Sequence, residues 1–151
     1  MNLNRPLLRK LEYLNNLNKD TRQLWGKMSA QHMIEHLILA VRTSNGKLNI
    51  GCFNPPEKIP TLKRFLMSGR PLPKEFINPL IGESLMPLEY ENLEEAKSVL
   101  VKEVEDYYKY FEEYPDASLV NPTFGELNKN EWDVFHEKHF THHFGQFGIN
   151  Q

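Results

Sequence analysis

The amino-acid sequence predicts an all-α protein, a four-helix bundle with a long loop and short-helix insertion between the second and third long helices. Apolar residues recur at the helical period in four separate stretches, and a single proline-rich run, residues 47–91, interrupts them. The 151 residues, 40% hydrophobic and 11% aromatic, suffice for one domain spanning 1–151 around one core, and no linker divides them.

Leu7, Leu8, Leu11, Leu14 and Leu17 recur among Asn, Lys, Arg and Glu, which predicts a first amphipathic helix from about Asn4 to Asn18, with Pro6 suited to its first turn. Lys19 to Lys27 connects. Ser29 reads as the N-cap of a second helix from Ala30 to about Ser44, closed by Asn45-Gly46, with Ala30, Met33, Ile34, Leu37, Ile38 and Val41 as its buried stripe. His36 lies at the edge of that stripe, roughly 60° from Met33 and 40° from Ala40. Pro55, Pro56, Pro60, Pro71, Pro73, Pro79 and Pro87 make 47–91 a long loop holding one short helix, Pro60 to Met67, before Gly69.

Asn92-Leu93-Glu94-Glu95 carries the N-cap and third-residue acid of a capping box, so the third long helix runs to about Glu113, before Pro115. Leu93, Ala96, Leu100, Val104, Tyr107 and Phe111 form its core face, and Glu103 flanks it. A loop over Ala117–Glu126 leads to Asn128 and Glu131, which repeat the capping arrangement and open the last helix.

A formal charge of −2, from 18 basic and 20 acidic residues, provides no field to attract nucleic acid or an acidic membrane surface. No run approaches the roughly 18–20 apolar residues of a membrane span. The single Cys52 has no intramolecular disulfide partner, and no apolar signal-peptide core follows Met1. The expectation is a cytoplasmic protein acting on a small molecule.

The last stretch, Asn128 to Gln151, holds four of the six histidines. The helical period puts Trp132, Phe135, His136, His139, His143, Gln146 and Phe147 on one broad face, with Asp133, Glu137, Lys138 and Thr141 opposite. His139 and His143 stand four apart, about 5–6 Å at Cβ, so both imidazoles reach one ion. Imidazole nitrogen suits zinc, nickel, copper or iron, and a catalytic site ordinarily has three protein ligands and one open position. The pair therefore needs a third ligand from elsewhere in the chain.

The segment from Trp25 to Leu37, W-G-K-M-S-A-Q-H-M-I-E-H-L, together with Asn121-Pro122-Thr123-Phe124-Gly125, Trp132 and His139-Phe140-Thr141-His142-His143-Phe144-Gly145-Gln146, resembles the DinB-like, or YfiT-like, metalloenzyme superfamily, and within it a branch of bacterial proteins of unassigned chemistry. The likeness spans nearly the whole chain. It implies that His36, His139 and His143 hold a divalent metal, zinc or nickel. Relatives of this kind include transferases that move groups onto low-molecular-weight thiols, and the fold is often dimeric. The resemblance thus implies a small-molecule substrate, a thiol among the candidates, and a homodimer. The same site activating water would make a hydrolase, and a closed shell a non-catalytic, metal-stabilised binding module.

Each of the other candidates also has a plain reading. A histidine flanking an apolar stripe is more often a hydrogen-bonded core residue than a ligand; for His36 the pairing with His139 and His143 weighs the other way. His32 reads as surface or supporting, His136 as supporting, and His142 as packing or solvent-facing. Gln146 either hydrogen-bonds a ligand or caps the helix end. Glu103 is an oxygen ligand, an orienting carboxylate for a histidine N–H, or a partly exposed, solvated glutamate, the last preferred. Tyr107 and Tyr110 read as core and flank residues, and Cys52 as an unactivated loop residue.

Overall fold

Three polar side chains fix where the long helices begin. Ser29 accepts a hydrogen bond from the His32 amide (3.2 Å) and opens a helix over Ala30–Ser44; Asn92 accepts from the Glu95 amide (2.8 Å) and opens Leu93–Glu113. Asn128 accepts from the Glu131 amide (2.9 Å) while the Glu131 carboxylate accepts from the Asn128 amide (3.0 Å), a reciprocal box that opens Lys129–Gln146. Each cap satisfies an amide that has no carbonyl partner in its own first turn.

The computed structural model describes residues 5–73 and 86–150. In chain order the elements are α1 (Pro6–Lys10), α2 (Ala30–Ser44), α3 (Ile59–Leu66), α4 (Leu93–Glu113), β1 (Ser118–Asn121), β2 (Gly125–Asn128) and α5 (Lys129–Gln146), with 3-10 turns over Leu11–Asn16 and Pro56–Lys58. The described chain is mostly helical, with a small two-stranded sheet.

The first amphipathic segment is not one continuous α-helix. It is α-helical only over α1 and then tightens into the 3-10 turn; Asn4, its expected start, lies outside the described residues. Leu11, Leu14 and Leu17 recur every three residues, which is the 3-10 period, so the tighter winding keeps all three on one line facing inward. The segment packs on α4, where the Leu7 amide donates to the Tyr108 hydroxyl (2.9 Å) and Arg5 pairs with Glu112.

Among the described residues α2 and α4 make the most extensive helix contact. The stripes Met33, Ile34, Leu37 and Val41 on one and Ala96, Leu100 and Val104 on the other are fully buried, and burying each large aliphatic side chain contributes roughly 1.5–3 kcal/mol. α4 stops at Glu113 because Pro115, two residues on, has no amide to continue the ladder. In the long insertion α3 starts one residue before the expected Pro60, preceded by the 3-10 turn at Pro56–Lys58. Residues 74–85 of that insertion, Pro79 included, lie outside the described residues.

The all-α expectation needs a correction between α4 and α5, where the sequence predicts a loop over Ala117–Glu126. β1 and β2 form an antiparallel hairpin in register Ser118↔Asn128 to Asn121↔Gly125. Its turn is closed by Asn121, whose side-chain oxygen accepts from the amides of Thr123 (2.8 Å) and Phe124 (3.0 Å), and by Gly125 at φ +76°, a left-handed conformation that glycine adopts without strain. Four-residue strands are too short for alternation to declare itself in sequence. The hairpin governs the last helix because β2 runs straight into α5: Asn128 is both the last residue of the strand and the helix cap. β1 lies on α2 and β2 on α5, so this turn sets the direction in which α5 departs. Among the described residues no helix is long and apolar enough to cross a membrane.

Candidate metal centre

α5 is buried on most of its circumference. The face expected from the sequence is inside, and Phe140 and Phe144, which the helical period does not assign to it, are fully buried too. Three of its histidines, His136, His139 and His143, are buried with that face. His139 and His143, one turn apart, meet His36 from the middle of α2 where the two helices touch.

The ring nitrogens converge. His36 Nε2 lies 2.9 Å from His139 Nε2, and His143 Nε2 lies 3.2 Å from the same atom. The three rings stand edge to face, with centroids 4.7–4.8 Å apart, and one candidate ligand atom from each falls within 4.8 Å of the others. Exposures of 3%, 1% and 7% for His36, His139 and His143 exclude solvent, and the Phe135 ring lies 5.0 Å from that of His139.

This donor set fits a cation. Two nitrogens each about 2.0–2.1 Å from one ion are about 2.8–3.0 Å apart at a right angle and about 3.3–3.4 Å apart at the tetrahedral angle, a range that contains the observed 2.9 and 3.2 Å. A neutral imidazole has one N–H for two nitrogens. The Nδ1 atoms of His36 and His139 are buried without a hydrogen-bond partner, so the polar contacts of these two rings are confined to the Nε2 cluster, where nitrogen atoms 2.9 and 3.2 Å apart turn lone pairs toward one another that a cation would satisfy. Burial, reinforced by the neighbouring rings, pushes His36 and His139 well below the ordinary histidine pKa; burial likewise pushes His143 down to about 4, against the opposing hydrogen bond to Gln146. All three are neutral near pH 7, the state in which imidazole nitrogen is a ligand. The buried three-histidine group can hold a metal ion.

The remaining candidates separate clearly. Gln146 belongs to the site: its Oε1 accepts from His143 Nδ1 at 2.9 Å. His136 does not join the triad. Its Nε2 lies 2.7 Å from Ser44 Oγ, and its ring stacks on Trp132 and meets the edge of Tyr107. His142 is half-buried, edge-on to Trp25. His32 Nδ1 lies 2.7 Å from the capping Ser29 Oγ.

Glu103 is corrected from a solvated glutamate to a buried one, 5% exposed. Its carboxylate is occupied by Arg42 Nε (3.0 Å), Lys47 Nζ (2.8 Å) and Asn45 Nδ2 (2.9 Å) rather than by a histidine. Tyr107 donates its hydroxyl to Asp133 (2.6 Å), also away from the triad. Cys52 is exposed, with only backbone carbonyls near its sulfur.

Sequence reasoning missed the Trp25 carbonyl, which accepts from Gln146 Nε2 at 2.9 Å, and the shape of the space beside the triad. A main-chain oxygen has no residue-type signature; only the glycine that comes after it hinted at a close approach. A cavity of about 90 Å³ reaches His36, lined mainly by Met28, Ile38, Leu39, Met86 and Pro87, with Glu35 and His32 among its polar members. Both Glu35 oxygens are spoken for, accepting from the amides of Glu89 (2.7 Å) and Tyr90 (3.2 Å), so that carboxylate holds the cavity wall together. Comparison with protein-family models, curated proteins and solved structures found no match.

Proposed function

We propose that this chain is a divalent-metal-dependent enzyme of the DinB-like kind. In this reading it is a four-helix bundle in which α1 and its 3-10 turn stand as the fourth member beside α2, α4 and α5, and the ion is zinc or nickel on His36, His139 and His143. The observation that carries the reading is the convergence of three buried, neutral imidazoles on one point. A divalent ion held by three neutral nitrogens keeps its full charge and supplies the Lewis acidity that deprotonates a thiol or a water near neutral pH.

The proposed reaction is S-transfer, in which a low-molecular-weight thiol loses its proton to solvent, its sulfur forms a bond to an electrophilic carbon, and the leaving group departs with the bonding pair. The chain's own contribution is placement and exclusion of water. Phe135 shields the triad, Gln146 orients His143, and the apolar cavity beside His36 suits the hydrocarbon part of an electrophile better than a charged one. Both Glu35 oxygens already accept main-chain amides and hold the cavity wall, and acidification of the nucleophile by the ion makes a protein base unnecessary.

The test begins with elemental analysis of protein purified without chelators and then reconstituted with zinc or nickel. Close to one equivalent is expected for the wild type, and a large loss in His36→Ala, His139→Ala and His143→Ala; binding below about a tenth of an equivalent sinks the metal reading. The loaded protein is then offered a panel of thiols with 1-chloro-2,4-dinitrobenzene. Chloride release faster than in His143→Ala supports S-transfer, whereas metal-dependent turnover of an ester or amide panel alone replaces it with hydrolysis.

A further inference from the structure

We propose that Gln146 is a positioning residue for the three-histidine site, acting through His143, and that the loop carrying Trp25 and Gly26 holds its amide in register. The proposal rests on the metal-binding reading above and adds which nitrogen of His143 faces the ion and what fixes it.

The chemistry of the partners sets the amide's orientation. A main-chain carbonyl only accepts, so the atom 2.9 Å from the Trp25 oxygen is the amide nitrogen, and the amide oxygen is left facing His143. That oxygen also only accepts, so the hydrogen of the neutral His143 ring is on Nδ1. Nε2 then carries the lone pair, turned toward His139 Nε2 at 3.2 Å. Among the described residues His143 is the one member of the triad whose Nδ1 has a side-chain partner, since those of His36 and His139 have none. The asymmetry makes His143 the ring whose ligand nitrogen is chosen in advance.

The loop is built for the close approach. Gly26 sits at φ +85°, and a Cβ placed on it would overlap Gln146 Nε2, so a side chain there is strained by the backbone conformation and pushes the amide out of place. The main chain repeats the tie: the Leu24 amide donates to the Gln146 carbonyl at 2.6 Å. Gln146 is 5% exposed, so no water substitutes easily for either hydrogen bond. The end of its side chain is thereby tied to a segment 121 residues away in sequence as well as to His143 on its own helix.

The experiment measures zinc affinity by competition with a chromophoric chelator, the His143 tautomer of the zinc-free protein by nitrogen NMR, and unfolding by urea, on the full chain. Gln146→Leu is expected to lose about 10- to 100-fold in zinc affinity, the range for deleting an outer partner of a ligating histidine, and to show a mixture of His143 tautomers. Gln146→Glu keeps the acceptor for Nδ1–H but repels the Trp25 carbonyl, so affinity stays within about threefold while stability falls, a separation that a purely structural role does not produce. Gly26→Ala weakens zinc binding in the wild-type background and not further in Gln146→Leu, because its effect passes through the amide.

The proposal is overturned if the wild type binds zinc through the three histidines and Gln146→Leu binds as tightly with its tautomer unchanged. It is equally overturned if the wild-type ring carries its hydrogen on Nε2. If the wild type binds no zinc, the metal reading fails while the tautomer measurement still decides the positioning claim. Should Gln146→Leu not fold, zinc affinity in Gln146→Glu and Gly26→Ala decides the claim in its place: retention in the first with loss in the second supports it, and the reverse overturns it.

Discussion

Arg42 on α2 and Glu103 on α4 face each other across the most extensive helix pair among the described residues, guanidinium Nε to carboxylate oxygen at 3.0 Å. Burial by itself raises the pKa of the carboxyl, but hydrogen bonds from Lys47, Asn45 and Arg42 and the Arg42 charge outweigh it and hold Glu103 below the ordinary carboxylate range. Glu103→Gln removes a charge that is 5% exposed from beside two cations whose side chains are 25% and 42% exposed. Removing one partner of a fully buried pair costs about 3–5 kcal/mol, so with half-wet partners a loss of about 1–3 kcal/mol is expected in urea unfolding at pH 7. Because the folded pKa is depressed, that contribution is complete above the ordinary carboxylate pKa and disappears as pH falls through the folded one. The wild-type and Glu103→Gln stabilities should therefore converge in acid.

His136 gives the opposite chemistry and the same direction of pH dependence. Burial pushes its pKa from 6.5 down to about 3, so on acidification the unfolded chain takes up this proton before the folded one. Stability is complete above about pH 6.5 and declines below it, with this ring accounting for a slope of about 1.4 kcal/mol per pH unit. His136→Phe fills the space and removes the titration. It should cost stability at pH 7 yet show a profile shallower by that amount between pH 6 and 4, measured on chelator-treated protein.

Asn128 separates stability from the site. Asn128→Ala removes the cap of α5 and half of its capping box, for an expected loss of about 1 kcal/mol. The histidines lie three and four turns further on and keep their neighbours, so zinc affinity should not change. A parallel fall in affinity would mean that the helix start and the triad are coupled.

Metal itself is a stability probe. If the three histidines bind zinc only in the folded chain, zinc at a hundredfold excess over its Kd stabilises the protein by about 2.7 kcal/mol, and a chelator reverses the gain. A thermal melt of the His139→Ala, His143→Ala double variant should not respond to either addition.

What is legible in the sequence depends on the range of each interaction. Ser29, Asn92 and Asn128 act within three residues, and all three announce the helices they open. The inward face of α5 is readable because the helical period repeats over five turns, although Phe140 and Phe144 show that the buried arc is wider than a single stripe. The short 3-10 turn and the four-residue strands fall below the length at which a period can be told from chance. Glu103 is misread from sequence because an angle on a helical wheel does not show that Arg42, Asn45 and Lys47, 56–61 residues earlier, arrive beside it. The Trp25 carbonyl and the cavity at His36 are products of long-range packing, and the residues that make them carry no local mark.

The separation of 103 residues between His36 and His139 has a consequence for synthesis. At about 5–20 residues per second, roughly 5–20 s pass between translation of the two. A nascent chain with α2 already outside the ribosome owns a single imidazole of the triad, too few to compete with cellular chelators for an ion. Any ion held by the triad is therefore acquired after α5 has emerged, and α2 has to find its place beside α4 with His36 still waiting for its partners.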